Sequence, residues 1–259
     1  MSITNKEIST TYKDWLIIDN SNAGFDTNID QVKSGNGNGS SLYLSTNNLK
    51  VQPTADSTTN SVIYDKDGNI LFQVDSTNDA VKALCNHVNT QYKEFGLFDM
   101  SPTAGYHTPL IANNTMSTVG GSLYTPRAEF GGNGTDPVTT LDISAGSPYD
   151  ILPTIWYVQD AITVDAVRVM AVCDGSENLN FHVMSYDMDT SSNHGDLSNG
   201  TLIAHINSVM AATGTSVKTD TLVIDSATIA ANKVVFVFVE NEDGTGDVTC
   251  QATIKYHLT

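Results

Sequence analysis

The chain has 259 residues, long enough for one large β domain plus a smaller module. Its 12 Lys and Arg face 29 Asp and Glu, a formal net charge of −17. Such a surface repels phosphate backbones and argues against nucleic acid as a partner. Charged residues are only 16% of the chain, so uncharged polar residues carry most turns and surface.

The N-terminal residues Met1-Ser-Ile-Thr-Asn-Lys-Glu7 contain no apolar run, so no secretory leader is expected there and folding in a cytoplasm is. No stretch approaches the ~20 apolar residues of a membrane span, and no membrane partner is expected. Residues 1–40 hold one apolar knot, Trp15, Leu16, Ile17 and Ile18, followed by Phe25 and Ile29. The knot reads as a docking segment, or equally as a terminal strand on its own domain. Gly35-Asn-Gly-Asn-Gly39 follows as a loop without side chains to pack.

Residues 41–75 read as short strands. Leu42 and Leu44 alternate, then Leu49 and Val51. A hairpin is predicted from Val62-Ile-Tyr64 through Asp65-Lys-Asp-Gly-Asn69 to Ile70, Phe72 and Val74, with Gly68 supplying positive φ. The Asp65-x-Asp67 spacing is not read as a calcium loop, because the glycine comes too early and Ser76 stands at the bidentate position. Over 79–95, Val81, Leu84, Val88, Tyr92 and Phe95 follow helical spacing, with Asp79 or Asn78 as cap and Gly96 as terminator. That spacing predicts the chain's one short helix.

The first 95 residues carry too little apolar material for a private core, and a module so small is marginal by surface-to-volume scaling. Bundling around a symmetry axis would supply the missing burial. A homotrimeric stem over 41–95 is therefore expected, with Leu42, Leu44, Ile70, Phe72, Val74, Val81, Leu84, Val88, Tyr92 and Phe95 at its interface. No repeat of fixed period stands out in the sequence.

Residues 96 to about 155 are irregular, with candidate strands at Tyr106–Ala112 and Ser122–Tyr124. Strands then follow at Ile162–Val172, Leu179–Met188, Thr201–Ile206 (after an Asn199-Gly200 turn), Thr221–Asp225, Val234–Glu240 and Val248–Leu258. From Val248 to Leu258 apolar and polar residues alternate strictly, the mark of a strand with one buried face. Val234-Val-Phe-Val-Phe-Val239 is apolar on both faces, which fits a strand covered on both sides or one with a partner outside. Strands spaced by turns without helices predict a sandwich or jelly roll over 96–259. The fold class is thus mainly β, with a C-terminal jelly-roll or β-sandwich head.

No GxSxG elbow, P-loop, GxGxxG or HExxH motif is present, so no enzyme and no cofactor are expected. Cys85, Cys173 and Cys250 show no zinc spacing and make no disulfide framework. His182, His194 and His205 read as structural. Asp187, Asp189 and Asp196, with Asn193 and Asn199, form an oxygen-rich stretch that is a weak calcium candidate, as do Glu240, Glu242, Asp243 and Asp247. Solvated loops are the simpler reading, so no metal is assigned. Tyr106, Tyr124, Tyr149, Trp156 and Tyr157 are aromatics suited to an interface, Trp156 equally to a core.

Tyr12-Lys-Asp-Trp-Leu-Ile-Ile-Asp-Asn-Ser-Asn-Ala-Gly24, Ser41-Leu-Tyr-Leu-Ser45 and Asp67-Gly-Asn-Ile-Leu-Phe-Gln-Val-Asp75 resemble segments of structural proteins from marine tailed phages. So do Ala80-Val-Lys-Ala83, Val88-Asn-Thr-Gln-Tyr92, Val167-Arg-Val-Met170, Phe181-His-Val-Met-Ser-Tyr186 and Ile254-Lys-Tyr-His257. These are packing and turn patterns and transfer no catalytic residue. The resemblance implies a trimeric virion protein, a capsid decoration or head fibre, with an N-terminal anchor (Trp15, Leu16, Ile17, Ile18, Phe25) on a major capsid protein or another virion protein. A tail fibre or receptor-binding tip contacting a host-surface glycan or protein is the alternative, and a carbohydrate-binding module a second one. Synthesis in the host cytoplasm and residence in the virion follow.

Overall fold

The computed structural model describes residues 16–19, 24–84, 86–102, 104–112, 130–131, 136–143, 151–191, 195–214, 216–242 and 246–259, with the backbone alone for 208–213. The chain divides into two compact units, Met1–Val88 and Asn89–Thr259. Among the described residues both are built of antiparallel strands, and the helical content is one 3-10 turn at Leu152–Thr154 with an adjoining residue.

The second unit is a sandwich. One sheet has the order β9 (Gln91–Met100), β19 (Val248–Leu258), β12 (Ile162–Cys173), β15 (Lys218–Thr221). The other runs β10 (His107–Pro109), β18 (Lys233–Asn241), β13 (Ser176–Met188), β14 (Leu197–Thr213), β16 (Val223–Ile224). Short strands β11 (Trp156–Val158) and β17 (Thr228–Ile229) add to β18 and β12. The chain switches sheets at each step from β9 through β19 except β10 to β11 and β13 to β14. With all pairs antiparallel, this is the jelly-roll arrangement.

The alternation of β19 puts Val248, Cys250, Ala252, Ile254 and Tyr256 into the layer between the sheets, as expected from the sequence. Phe95 and Leu97 from β9, and Phe181, Val183, Val235, Val237 and Val239 from the facing sheet, fill the same layer. The opposite face of β18 is buried too. Phe236 and Phe238 pack under Phe130, Ile143, Ile151 and Ile155, with Met184 and Tyr186 beside them. The Phe130 ring lies 4.6 Å from Phe238 and 5.2 Å from Phe236 between centroids. Residues of the irregular 96–155 stretch therefore cover the outer face of β18, which explains its apolar character on both sides.

Among its described residues the first unit consists of two four-stranded meanders. One is β1 (Leu16–Ile18), β2 (Asp30–Ser34), β3 (Gly39–Leu44), β4 (Leu49–Val51). The other is β5 (Ser61–Tyr64), β6 (Ile70–Asp75), β7 (Ala80–Ala83), β8 (Asn86–His87). The predicted hairpin is present: Asp65 accepts hydrogen bonds from the backbone N–H of Asp67 (2.8 Å) and Asn69 (2.8 Å), and Gly68 sits at φ +86°. The expected boundary at residue 40 falls inside β3, and the one at 95 falls inside β9.

The helix expected over 79–95 is absent from the described residues 79–84 and 86–95. Asp75, not Asp79 or Asn78, organises the local turn by accepting from the backbone N–H of Thr77 and Asn78 at 3.2 and 3.1 Å. Asp79 and Leu84 take positive φ, +51° and +48°, which breaks any helix. β7 pairs with β6 and β9 pairs with β19, so the backbone groups a helix would satisfy internally are satisfied across strands. A short 3–4 spacing matched both patterns, and tertiary pairing decided between them.

Asn199-Gly200 is not a turn either. It lies within β14, with Asn199 at φ +52° where the β13–β14 register shifts. Gly200 N–H donates to the Thr139 carbonyl at 2.9 Å, and a Cβ here would stand 2.6 Å from the Tyr186 ring and 2.7 Å from Thr139 Cα. Gly200→Ala is expected to destabilise the second unit by about 1–3 kcal/mol through overpacking against backbone, read as a lower denaturant midpoint with unchanged slope.

Candidate functional site

The first unit has almost no interior. Among its described residues only Val32, Asp75 and Ala80 are buried. Its apolar side chains lie on open strands: Leu16 is 77% exposed, Leu49 67%, Ile63 59% and Phe72 37%. The strands form because antiparallel pairing and Asx or Ser turns satisfy their backbones, not because a core collapses around them.

Of the expected anchor, Trp15 lies outside the described residues. Leu16, Ile17 and Ile18 form β1 on the edge of the first meander, and Phe25 is exposed. The expected interface residues separate into two sets. Leu42, Leu44, Ile70 and Val74 are half-buried, and Phe72, Val81, Leu84 and Val88 are exposed, all in the first unit. Tyr92 and Phe95 belong to β9 of the second unit. Phe95 is corrected outright: it is buried in the sandwich, edge-on to Trp156 at 6.5 Å, and unavailable to a sister chain. Trp156 packs there as a core residue, 4.9 Å from the Tyr256 ring.

The weak calcium candidates point to separate protein partners. Asp187 receives Lys233 Nζ at 2.7 Å and Asn199 Nδ2 at 2.8 Å, and the hydrogen bond from Lys233 leads in holding its carboxyl below the usual range. Asp189 accepts from Ser191 N–H and Oγ, and Asp196 accepts from Ile143 N–H at 2.7 Å. Asn193, His194 and Asp243 lie outside the described residues, as do Cys85, Tyr124, Tyr149 and the candidate strand at 122–124. Among the described residues no three His, Cys, Asp or Glu side chains converge as metal ligands. Cys173 and Cys250 are buried and free, and burial pushes the Cys250 thiol up to about 12, which makes it a poor nucleophile.

Sequence reasoning missed a polar cluster inside the second unit. His107, His182, Asn180 and Glu240 are all buried. The His107 and His182 rings are 4.8 Å apart edge to face, and His205 stacks on the far side of His182 at 6.5 Å. Asn180 Nδ2 donates to Glu240 (3.0 Å) and Glu242 (2.9 Å), while His107 Nε2 lies 3.7 Å from Glu240 and His182 Nε2 3.7 Å from Asp136. His205 Nδ1 meets Asp225 at 2.6 Å. The strand register His107–Glu240–Asn180 and His182–His205 creates this cluster, and no local spacing announces it.

A groove of about 470 Å³ opens on the outer face of the β9–β19–β12–β15 sheet, lined by Gly96, Phe98, Met170 and Val217 among others. No helix among the described residues is long and apolar enough to cross a membrane.

No protein-family model matches the chain, and no curated protein matches it. Among solved structures it aligns with a chain of "Structure of infectious bursal disease virus Gx strain" at 9% identity and a TM-score of 0.19. The alignment covers 84% of this chain and 46% of that one, so the chain spans less than half the length of its match. At that TM-score no property carries across.

Burial, and next the neighbouring His107, push the His182 imidazole down to about 4, so it is neutral in the fold. In the unfolded chain it takes up a proton near 6.5. The folded state thus binds fewer protons. Its stability is complete above about pH 6.5 and falls as pH drops towards 4, by on the order of 1–3 kcal/mol. Thermal melts from pH 7.5 to 4.5 should show this slope, and His182→Gln should flatten it.

Proposed function

We propose that this chain is a non-enzymatic structural protein of a virus particle, a homotrimeric capsid decoration or head fibre. One observation carries the reading: a first unit whose described residues form eight strands, with only three of those residues buried. A module with so little interior gains its stability from neighbours, at about 25 cal/mol per Å² of apolar surface removed from water before association costs. The resemblance of its N-terminal, hairpin and sandwich segments to tailed-phage virion proteins supplies the setting. Its partners are then two sister chains and a major capsid protein or another virion protein, reached through Leu16, Ile17, Ile18 and Phe25. It needs no cofactor and resides in the virion after synthesis in the host cytoplasm. The net charge of −17 keeps such particles apart and leaves a packaged genome untouched.

The groove at Phe98, Met170 and Val217 favours a second reading, a tail fibre or receptor-binding tip whose sandwich grips a host-surface ligand. Binding of the purified chain to host cells separates it from the first.

Mass photometry or sedimentation equilibrium at micromolar concentration should give three times 27.8 kDa; a stable monomer overturns the proposal. Phe72→Asp should weaken assembly at least about tenfold, without moving the melting transition of the sandwich.

A further inference from the structure

The first unit repeats itself. The Thr46 N–H donates to the Asp26 carbonyl at 2.8 Å, and the Ser76 N–H to the Ser57 carbonyl at 3.0 Å. Asn28 N–H donates to Asp26 Oδ1 (2.7 Å) as Thr59 N–H does to Ser57 Oγ (3.2 Å). Asp26 to Asn38 correspond to Ser57 to Asn69, 31 residues later. The turns agree in detail: Ser34 N–H donates to the Asn38 carbonyl and Asp65 N–H to the Asn69 carbonyl, both at 2.9 Å, with Gly37 at φ +83° and Gly68 at +86°. Ser45 Oγ accepts from Asn47 and Asn48 N–H as Asp75 Oδ1 accepts from Thr77 and Asn78 N–H. The register Leu42–Val51, Tyr43–Lys50, Leu44–Leu49 reappears as Phe72–Ala83, Gln73–Lys82, Val74–Val81. Hence β2, β3 and β4 recur as β5, β6 and β7.

The two copies differ at one edge. In the first, β1 pairs with the outer edge of β2, Ile18 sits opposite Val32, and Val32 is 5% exposed. In the second, β5 pairs only with β6 among the described residues, and Ile63, the counterpart of Val32, is 59% exposed. The missing strand has a template in the chain. Leu49-Lys50-Val51 of β4 follows Leu16-Ile17-Ile18 of β1 by 33 residues, pairs only with β3 among the described residues, and has all three residues exposed.

We propose that β4 of a second copy of this chain adds to the open edge of β5, as β1 adds to β2 within the chain. This rests on reading the first unit as an assembly surface and names how its copies join. A strand on an open edge gains main-chain hydrogen bonds and covers the apolar face beside it. Leu49 and Val51 on β4 and Ile63 and Tyr64 on β5 are among the unit's exposed large apolar side chains, and this pairing sets them against one another. Charge permits the approach: Met1–Val88 carries 6 Lys and 10 Asp or Glu, a net −4, and the remaining −13 lies in the second unit. Because β4 and β5 are different surfaces, each copy offers one and receives one, a head-to-tail contact that forms a ring, as a trimer requires, when the rotation between copies closes.

Transferring the β1–β2 register places Leu49 opposite Asp65, Lys50 opposite Tyr64 and Val51 opposite Ile63 of the sister chain. Directly opposed antiparallel residues have Cα atoms about 4.5–5.5 Å apart, within disulfide reach. The test uses the full chain with Cys85→Ser and the pair Val51→Cys and Ile63→Cys, oxidised mildly and run without reductant. The expected result is covalent multimers from the double variant and none from either single variant. An intrachain bridge, no bridge in a chain that still sediments as an oligomer, or dimers from a single variant would overturn this strand addition while leaving the proposed assembly standing. A monomer by sedimentation would remove both.

Discussion

Apolar burial is divided unequally between the two units, and the other properties of the chain follow from that division. In the second unit β18 is covered on both faces, by the facing sheet on one side and by Phe130, Ile143, Ile151 and Ile155 on the other. Two apolar layers share one strand, so its backbone is shielded along its length. In the first unit strands hold one another by hydrogen bonds alone over most of their surface. Net hydrogen-bond contributions are small, about 1 kcal/mol each, because water competes for the same groups. Such a unit leaves most of its apolar side chains in water.

The sandwich also buries a polar cluster, although dry surroundings raise the cost of each polar group placed there. His107, His182, Asn180 and Glu240 meet across three strands, Asn180 donates to Glu240, and the dry surroundings keep His182 neutral. Buried polar networks of this kind fix register, since a slip by one residue would leave each group facing apolar side chains.

The repeated meander gives the first unit a modular logic. The same turn, built on Ser34 in one copy and Asp65 in the other, sets the same hairpin, and the same acceptor geometry at Ser45 and Asp75 sets the next. Duplicating a meander duplicates its edges. An edge already covered in one copy then indicates what the open edge in the other can accept.

Local alternation by itself determined β19, from Val248 to Leu258, and the Asp65–Asn69 hairpin, because a period of two and a glycine at positive φ are properties of neighbouring residues. Poverty of apolar residues in the first unit was equally legible. The repeat was not, because its halves share turn geometry and pairing register while sharing few identities, Gly37-Asn38 with Gly68-Asn69 among them. By sequence the 79–95 segment reads as a helix, because Val81, Leu84, Val88, Tyr92 and Phe95 fit a helical face as well as the sides of strands. Only tertiary structure decided it, by offering β6 and β19 as pairing partners. The histidine cluster likewise exists only through strands brought together from positions 107, 182, 205 and 240. Long-range register is a property of the whole sheet, and no window of sequence contains it.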